Sequence, residues 1–151
     1  MAEMRALLAE LRPSTLTDAE LGDLLRLLGN AFTGRTNIPA NVSVTGQGEL
    51  PAGVQVAIYR ICQEALNNIA KHANAGGVEI SLKQNERTVE VSLHDDGRGF
   101  DPGLTASGHY GLSMMRERAE SAGLHLSITS KPGEGTQVAI QWSAADTKEL
   151  A

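Results

Sequence analysis

The stretch Val54–Ala73, V-Q-V-A-I-Y-R-I-C-Q-E-A-L-N-N-I-A-K-H-A, decides how the rest of the chain is read. Val54, Ala57, Ile58, Ile61, Cys62, Ala65, Leu66 and Ile69 recur at steps of three and four, which lines one face of an α-helix with apolar side chains. That face is expected to be buried. Arg60, Glu64, Asn68 and Lys71 follow one another at steps of four, four and three, so on a regular helix they form a single stripe. At about 100° per residue, Asn68 falls on the border between this stripe and the apolar arc. A half-buried amide there is well placed to ligate something held in a cleft. For this helix alone the plainer reading is a solvated face stitched by an Arg60–Glu64 ion pair, and the chain on either side decides between the two.

Upstream, Met4, Leu7, Leu8 and Leu11 give a short helical stripe that stops at Arg12-Pro13. Asp18 is placed to cap a second helix carrying Leu21, Leu24, Leu25, Leu28, Ala31 and Phe32, with Gly34 near its end. Val42 and Val44 alternate with polar residues as in a short strand, broken at Gly46-Gln47-Gly48, and Pro51 stands where the central helix can begin.

Downstream, Asn74-Ala75-Gly76-Gly77 stops the helix. Val78/Ile80/Leu82 and Val89/Val91/Leu93 then make a hairpin with one apolar face, turning over Gln84–Arg87. Counting by two carries that face on to Asp95. A carboxylate at the inner end of a strand is costly unless something hydrogen-bonds to it, so Asp95 is a functional candidate on burial alone. The run Asp95-Asp96-Gly97-Arg98-Gly99-Phe100 ends the strand with glycines that allow a tight turn and close approach by a ligand. After a loop, Gly108-His109-Tyr110-Gly111 opens a helix bearing Leu112, Met115, Ala119 and Ala122, which Gly123 ends. A glycine-bearing loop leading into a helix N-terminus offers free N–H groups to an anion. A second hairpin pairs Leu124/Leu126/Ile128 with Val138/Ile140/Trp142 across Lys131–Gly135, and Thr136 shares the inward face of its strand.

Composition narrows the classes. A net charge of −5 without a Lys/Arg cluster, and an aromatic content of 3%, argue against a nucleic-acid surface or base-stacking platform. The single cysteine, Cys62, lies on the apolar arc and reads as a core residue in a reducing compartment. No apolar run approaches the ~18–20 residues of a membrane span, and no signal peptide is visible, so the expectation is a cytoplasmic domain whose own residues do not touch a membrane. The four histidines, His72, His94, His109 and His125, sit on different elements and do not make a metal cluster.

Glu64 and Asn68 on a helix, a buried Asp95 followed by glycines, a glycine-opened helix at Gly111 and an inward Thr136 are each weak signals. In this order they are specific. The chain resembles the ATP-binding catalytic domain of sensor histidine kinases, within the superfamily that includes gyrase, Hsp90 and MutL. Q-E-A-L-N-N-I-A-K-H-A is similar to the family's N box, D-D-G-R-G-F to its first glycine box, G-H-Y-G-L-S-M-M-R-E-R-A to its second, and G-E-G-T before the last strand also matches. The resemblance runs from about Ser14 to Trp142, and its wording is nearest the nitrate-sensor-like subfamily, whose partners are response regulators with helix-turn-helix output domains.

The resemblance implies an α+β fold of the Bergerat type, a two-layer α/β sandwich in which helices cover one face of a mixed, mainly antiparallel sheet. It implies ATP and Mg²⁺ as ligands. Asn68 would give its side-chain oxygen to Mg²⁺; Glu64 would order metal-bound water or polarise the accepting nucleophile. Lys71 and His72 would contact phosphate oxygens, and Arg60 would be either a partner of Glu64 or a further phosphate contact. Asp95 would accept a hydrogen bond from the adenine amino group, favouring ATP over GTP. Gly97 and Gly99 would let the backbone pass close to the nucleotide, Gly108, Gly111 and Leu112 would offer N–H groups to the phosphates, and Thr136 would back the adenine end. Asp101–Ser107 would be the lid, with Phe100 a plug at its base.

No segment supplies a phosphoacceptor box. His94-Asp95 has the dipeptide, but at a strand end, where His94 points outward. The expected organisation is a tail of a dimerisation and phosphoacceptor helix, or linker, over residues 1–13, a catalytic domain over 14–143 and a flexible tail over 144–151. Its partners would be the helical domain of the same kinase and a response regulator, and the isolated domain would be a monomer or weak dimer. An anti-sigma-factor-like serine kinase and a nucleotide-binding module without catalysis remain as alternatives.

Overall fold

The computed structural model describes residues 13–73, 75–97 and 110–144. The Met4–Leu11 stripe, Asn74, Arg98–Phe100, the 101–107 segment, Gly108, His109 and the C-terminal tail from 145 lie outside these residues. In chain order the elements are α1 (Pro13–Asp18), α2 (Leu21–Thr36), β1 (Ala40–Gly46), α3 (Ala52–Asn68) with a π-helical turn at Ile69–Ala73, β2 (Val78–Gln84), β3 (Thr88–Asp95), α4 (Tyr110–Ala122), β4 (His125–Ser130) and β5 (Thr136–Ser143). The strands form one sheet in the order β1-β2-β3-β5-β4. Only β1 and β2 run parallel, and the other three pairings are antiparallel. This is the mixed, mainly antiparallel sheet expected from the sequence, with the helical layer on its apolar face.

The register explains where the core sits. Val42, Ile80, Leu93, Val138 and Ile128 lie in one row across all five strands, and Val44, Leu82, Val91, Ile140 and Leu126 in the next. Against these rows pack Leu25 and Phe32 of α2, Ile58, Ile61, Cys62 and Leu66 of α3, and Met115 of α4, all buried. Burying each such side chain stabilises the fold by roughly 1.5–3 kcal/mol. The opposite row, Ser43, Ser81, Ser92, Ala139 and Ser127, is small and polar, so that face of the sheet stays open to solvent. Cys62 is buried and free, and burial pushes its thiol up to about 12, which suits an inert packing residue.

One local expectation changes, at the start of α2. The Met4–Leu11 stripe that the sequence ends at Arg12-Pro13 lies outside the described residues; Pro13 itself opens α1, where its fixed φ and missing N–H are harmless in a first turn. Asp18 closes α1 and leaves the N-cap of α2 to Glu20, whose side chain makes no capping bond. Gly34 stands in the last turn of α2, near its end as expected, and Asn37 closes the helix in the left-handed region at φ 63°, its N–H bonded to the Thr33 carbonyl. The short helix α1 is fixed to α3 by Gln55, whose buried amide donates to the Leu16 and Ala19 carbonyls at 2.7 Å each. At Gly22 a Cβ would come within 3.0 Å of the Val44 side chain, which lets α2 lie close on the edge strand β1.

Candidate functional site

Helix α3 gives up its α-helical geometry at Asn68, and the next residues, Ile69–Ala73, form an i→i+5 turn. Such π turns are rare and recur at functional sites. A wider turn shifts the angular phase of Lys71 relative to Arg60, Glu64 and Asn68. Arg60, Glu64 and Asn68 are half-buried, and Lys71 is exposed. The expected Arg60–Glu64 pair is also replaced. Arg60 donates to Gln63 Oε1 at 3.1 Å, with its guanidinium 5.7 Å from the centre of the Tyr59 ring. Among the described residues neither Glu64 nor Asn68 is spent on a side-chain hydrogen bond. An oxygen donor of this kind, half-buried and uncommitted, fits a hard cation such as Mg²⁺.

At the far edge of the core, the inner row holds Ala40, Val78, Asp95, Thr136 and Ser130. Period-two counting therefore placed Asp95 correctly: it is fully buried. Its Oδ1 accepts the Gly97 N–H at 2.7 Å, while Oδ2 is buried without a hydrogen-bond partner among the described residues. Burial raises the Asp95 carboxyl above the ordinary range, partly offset by the Gly97 N–H, by His94 and by the Thr136 N–H, with Asp96 adding to the rise. An orphaned buried acceptor costs free energy until a donor arrives. The adenine amino group is such a donor.

Next along that row, the Thr136 and Ser130 hydroxyls are 2.8 Å apart, and Ser130 also donates to the Gly135 carbonyl at 3.2 Å. Ser130 was missed from sequence, although counting by two from Leu126 and Ile128 reaches it. Asp96 was missed as well. Its Oδ1 accepts the Gly76 and Gly77 N–H groups at 2.7 and 3.0 Å, and these two donors hold its exposed carboxyl below the usual carboxylate range. No spacing rule announces this contact, since it crosses the loop between α3 and β2.

Gly97 is buried beside Asp95, Leu112 is buried in α4, and Gly111 lies in the first turn of that helix, where backbone N–H groups are not used within the helix. His94 is exposed on the outer side of β3, as expected. Gly99 and Gly108 are outside the described residues, as is the side chain of His72, whose backbone belongs to the π turn. A groove of about 600 Å³ between the start of α3 and α4, lined by Pro51, Gly53, Ala57, Met114 and Arg118 among others, lies at the opposite end of α3 from Asn68. Among the described residues no helix is long and apolar enough to cross a membrane.

A two-layer fold with an orphaned buried carboxylate at a strand end is the frame of a nucleotide-binding class. The chain belongs to the family described as "Histidine kinase-, DNA gyrase B-, and HSP90-like ATPase", which matches residues 53–146. It is 34% identical over 141 residues to the signal transduction histidine-protein kinase/phosphatase DegS of Brevibacillus brevis, a match spanning 93% of this chain and 36% of DegS. It is 35% identical over 140 residues to the sensor protein VraS of Staphylococcus epidermidis, spanning 92% of this chain and 40% of VraS. The chain thus covers well under half the length of these curated relatives. Among solved structures, the histidine kinase domain from the Erythrobacter litoralis EL346 blue-light activated histidine kinase superposes with a TM-score of 0.67 at 24% identity, over 89% of this chain and 65% of that one. At that identity the likeness speaks for the fold.

Proposed function

We propose that this chain is the ATP-binding catalytic domain of a two-component sensor histidine kinase. The observation that carries the reading is the buried Asp95 carboxylate with its unpartnered Oδ2, in a chain of the histidine kinase-like ATPase family. Asp95 accepts a hydrogen bond from the adenine amino group, which favours ATP over GTP because the guanine carbonyl at the equivalent position has no hydrogen to donate. Thr136, hydrogen-bonded to Ser130, backs the adenine. Gly97 and Gly99 keep side chains out of the nucleotide's way.

At the phosphate end, Asn68 would hold Mg²⁺ through its amide oxygen, and Glu64 one turn earlier would order the water around it or polarise the incoming nucleophile. The metal would supply neutralisation of the charge on the phosphates. Lys71 and His72 contact the phosphates from the π turn, and backbone N–H groups at Gly111 and Leu112 contact them from the start of α4, joined by that of Gly108. Phosphoryl transfer needs alignment and charge neutralisation more than covalent help from the protein. The γ-phosphate passes to a histidine on a separate helical domain of the same kinase, and from there to a response regulator. The organisation follows: residues 1–13 belong to the preceding helix or linker, 14–143 to the catalytic domain, and 144–151 to a tail. Placement in the nitrate-sensor-like subfamily is the finest part of the reading and is supported by the wording of the boxes alone.

The test is transfer of labelled γ-phosphate from ATP, in the presence of Mg²⁺, to a supplied dimerisation and phosphoacceptor domain of a related kinase. Label on that domain's histidine, abolished by Asn68→Ala, is expected. Binding of ATP with no transfer to any supplied phosphoacceptor domain would argue instead for a module without catalysis.

A further inference from the structure

We propose that Asp96 is a positioning residue for the phosphate end of the nucleotide, acting through the turn that carries Lys71. The inference rests on the ATP-site reading above. Regular pairing of β2 with β3 ends at Val78 opposite Asp95. Beyond that rung the connection is made by Asp96, whose carboxylate takes the Gly76 and Gly77 N–H groups at 2.7 and 3.0 Å and whose own N–H reaches the Gly77 carbonyl at 3.4 Å. These bonds fasten residues 76 and 77 to the strand end directly after Asp95. On the other side, the π turn ends at Ala73, with Lys71 in its middle.

Asp96 therefore ties together two segments that approach the nucleotide from different ends. One is the end of β3, which presents Asp95 to the adenine. The other is Gly76-Gly77, which follows in sequence on the π turn bearing Lys71, the proposed phosphate contact. Asp96 itself is exposed, so water competes for both donors and each bond adds little to stability. Fixing the spacing between two ligand-contacting groups is worth more, because a small misplacement of a charged side chain forfeits much of its interaction with the ligand. The N–H donors keep the Asp96 carboxyl ionised at neutral pH, so the clamp is closed under ordinary conditions.

A double-mutant cycle on the full chain tests this, reading the affinity for a non-hydrolysable ATP analogue with Mg²⁺ by calorimetry. Asp96→Ala is expected to weaken binding about tenfold in the otherwise unchanged chain. In a Lys71→Ala background the same change is expected to cost less than about twofold, because the two residues act as one unit. Asp96→Asn keeps an acceptor oxygen and is expected to recover most of the loss. Equal losses in both backgrounds would mean that Asp96 is a structural tie independent of Lys71 and would overturn the inference. Unaltered affinity in Asp96→Ala would overturn it too, leaving the ATP site standing. Failure of the unaltered chain to bind the analogue would remove the ATP-site reading and this inference together. If Asp96→Ala melts below the assay temperature, Asp96→Glu, which displaces the carboxylate while keeping its charge, carries the same cycle with the same outcomes.

Discussion

The carbonyl oxygen of Asp95 lies where a Cβ on residue 135 would have to be, so Gly135 packs backbone to backbone against the strand end that bears the buried carboxylate. Gly135 also holds φ at 81°, in the region where side chains are strained. The turn before β5 and the strand end that bears the Asp95 carboxylate are thereby locked to one another, with Ser130 closing the contact from β4 through the Gly135 carbonyl.

Gly135→Ala is accordingly expected to act twice. The left-handed backbone and the collision with main chain together should cost about 2 kcal/mol or more in urea unfolding. Affinity for ATP should fall as well, since relief of the collision displaces Asp95. Unchanged stability with unchanged affinity would show that the strand end is free to move aside.

Asp95→Asn separates binding from folding. Burial raises the Asp95 carboxyl, so the folded chain holds its proton more tightly than the unfolded chain does. The stability this group supplies is then complete below the unfolded value near ~3.9 and is lost as pH rises through the raised folded value. Without nucleotide, the melting temperature of the unaltered chain should fall relative to Asp95→Asn as pH is raised from about 4 to 7. Parallel melting curves across that range would mean that Asp95 ionises in the fold as readily as in water.

Asn68→Asp addresses the metal. It leaves an oxygen in place but adds charge where the amide is half-buried and uncommitted at the end of α3. Nucleotide affinity with Mg²⁺ should change more than affinity in chelator. Equal changes with and without the metal would remove Asn68 as its ligand.

How far these features could be read beforehand follows from which forces set them. The sheet was legible because strand alternation is a rule of burial, and it carried through Leu93 to Asp95 without a break. Both hairpins and their turns followed from the same count. The end of α2 was partly legible: Gly34 marks its last turn, but the residue that closes it is Asn37, one of the few non-glycine residues that readily takes the left-handed conformation. The π turn was invisible, since the three-and-four pattern of Val54–Ile69 looks like uninterrupted α-helix. Asp96 went unread for another reason: its partners, the Gly76 and Gly77 N–H groups, come close only once the sheet has formed, so local spacing holds no trace of the contact. Ser130 lay within reach of the count by two through Leu126 and Ile128.

The most direct test of the ATP site is calorimetric titration of the chain with a non-hydrolysable ATP analogue and Mg²⁺, beside GTP and beside Asp95→Asn. Saturable binding of the ATP analogue, no binding of GTP, and a loss of roughly tenfold to a hundredfold in Asp95→Asn are predicted, the range expected for a hydrogen bond to a buried charge. Equal affinity for ATP and GTP, with Asp95→Asn binding as tightly as the unaltered chain, would contradict the assignment of Asp95 to adenine and with it the proposed site.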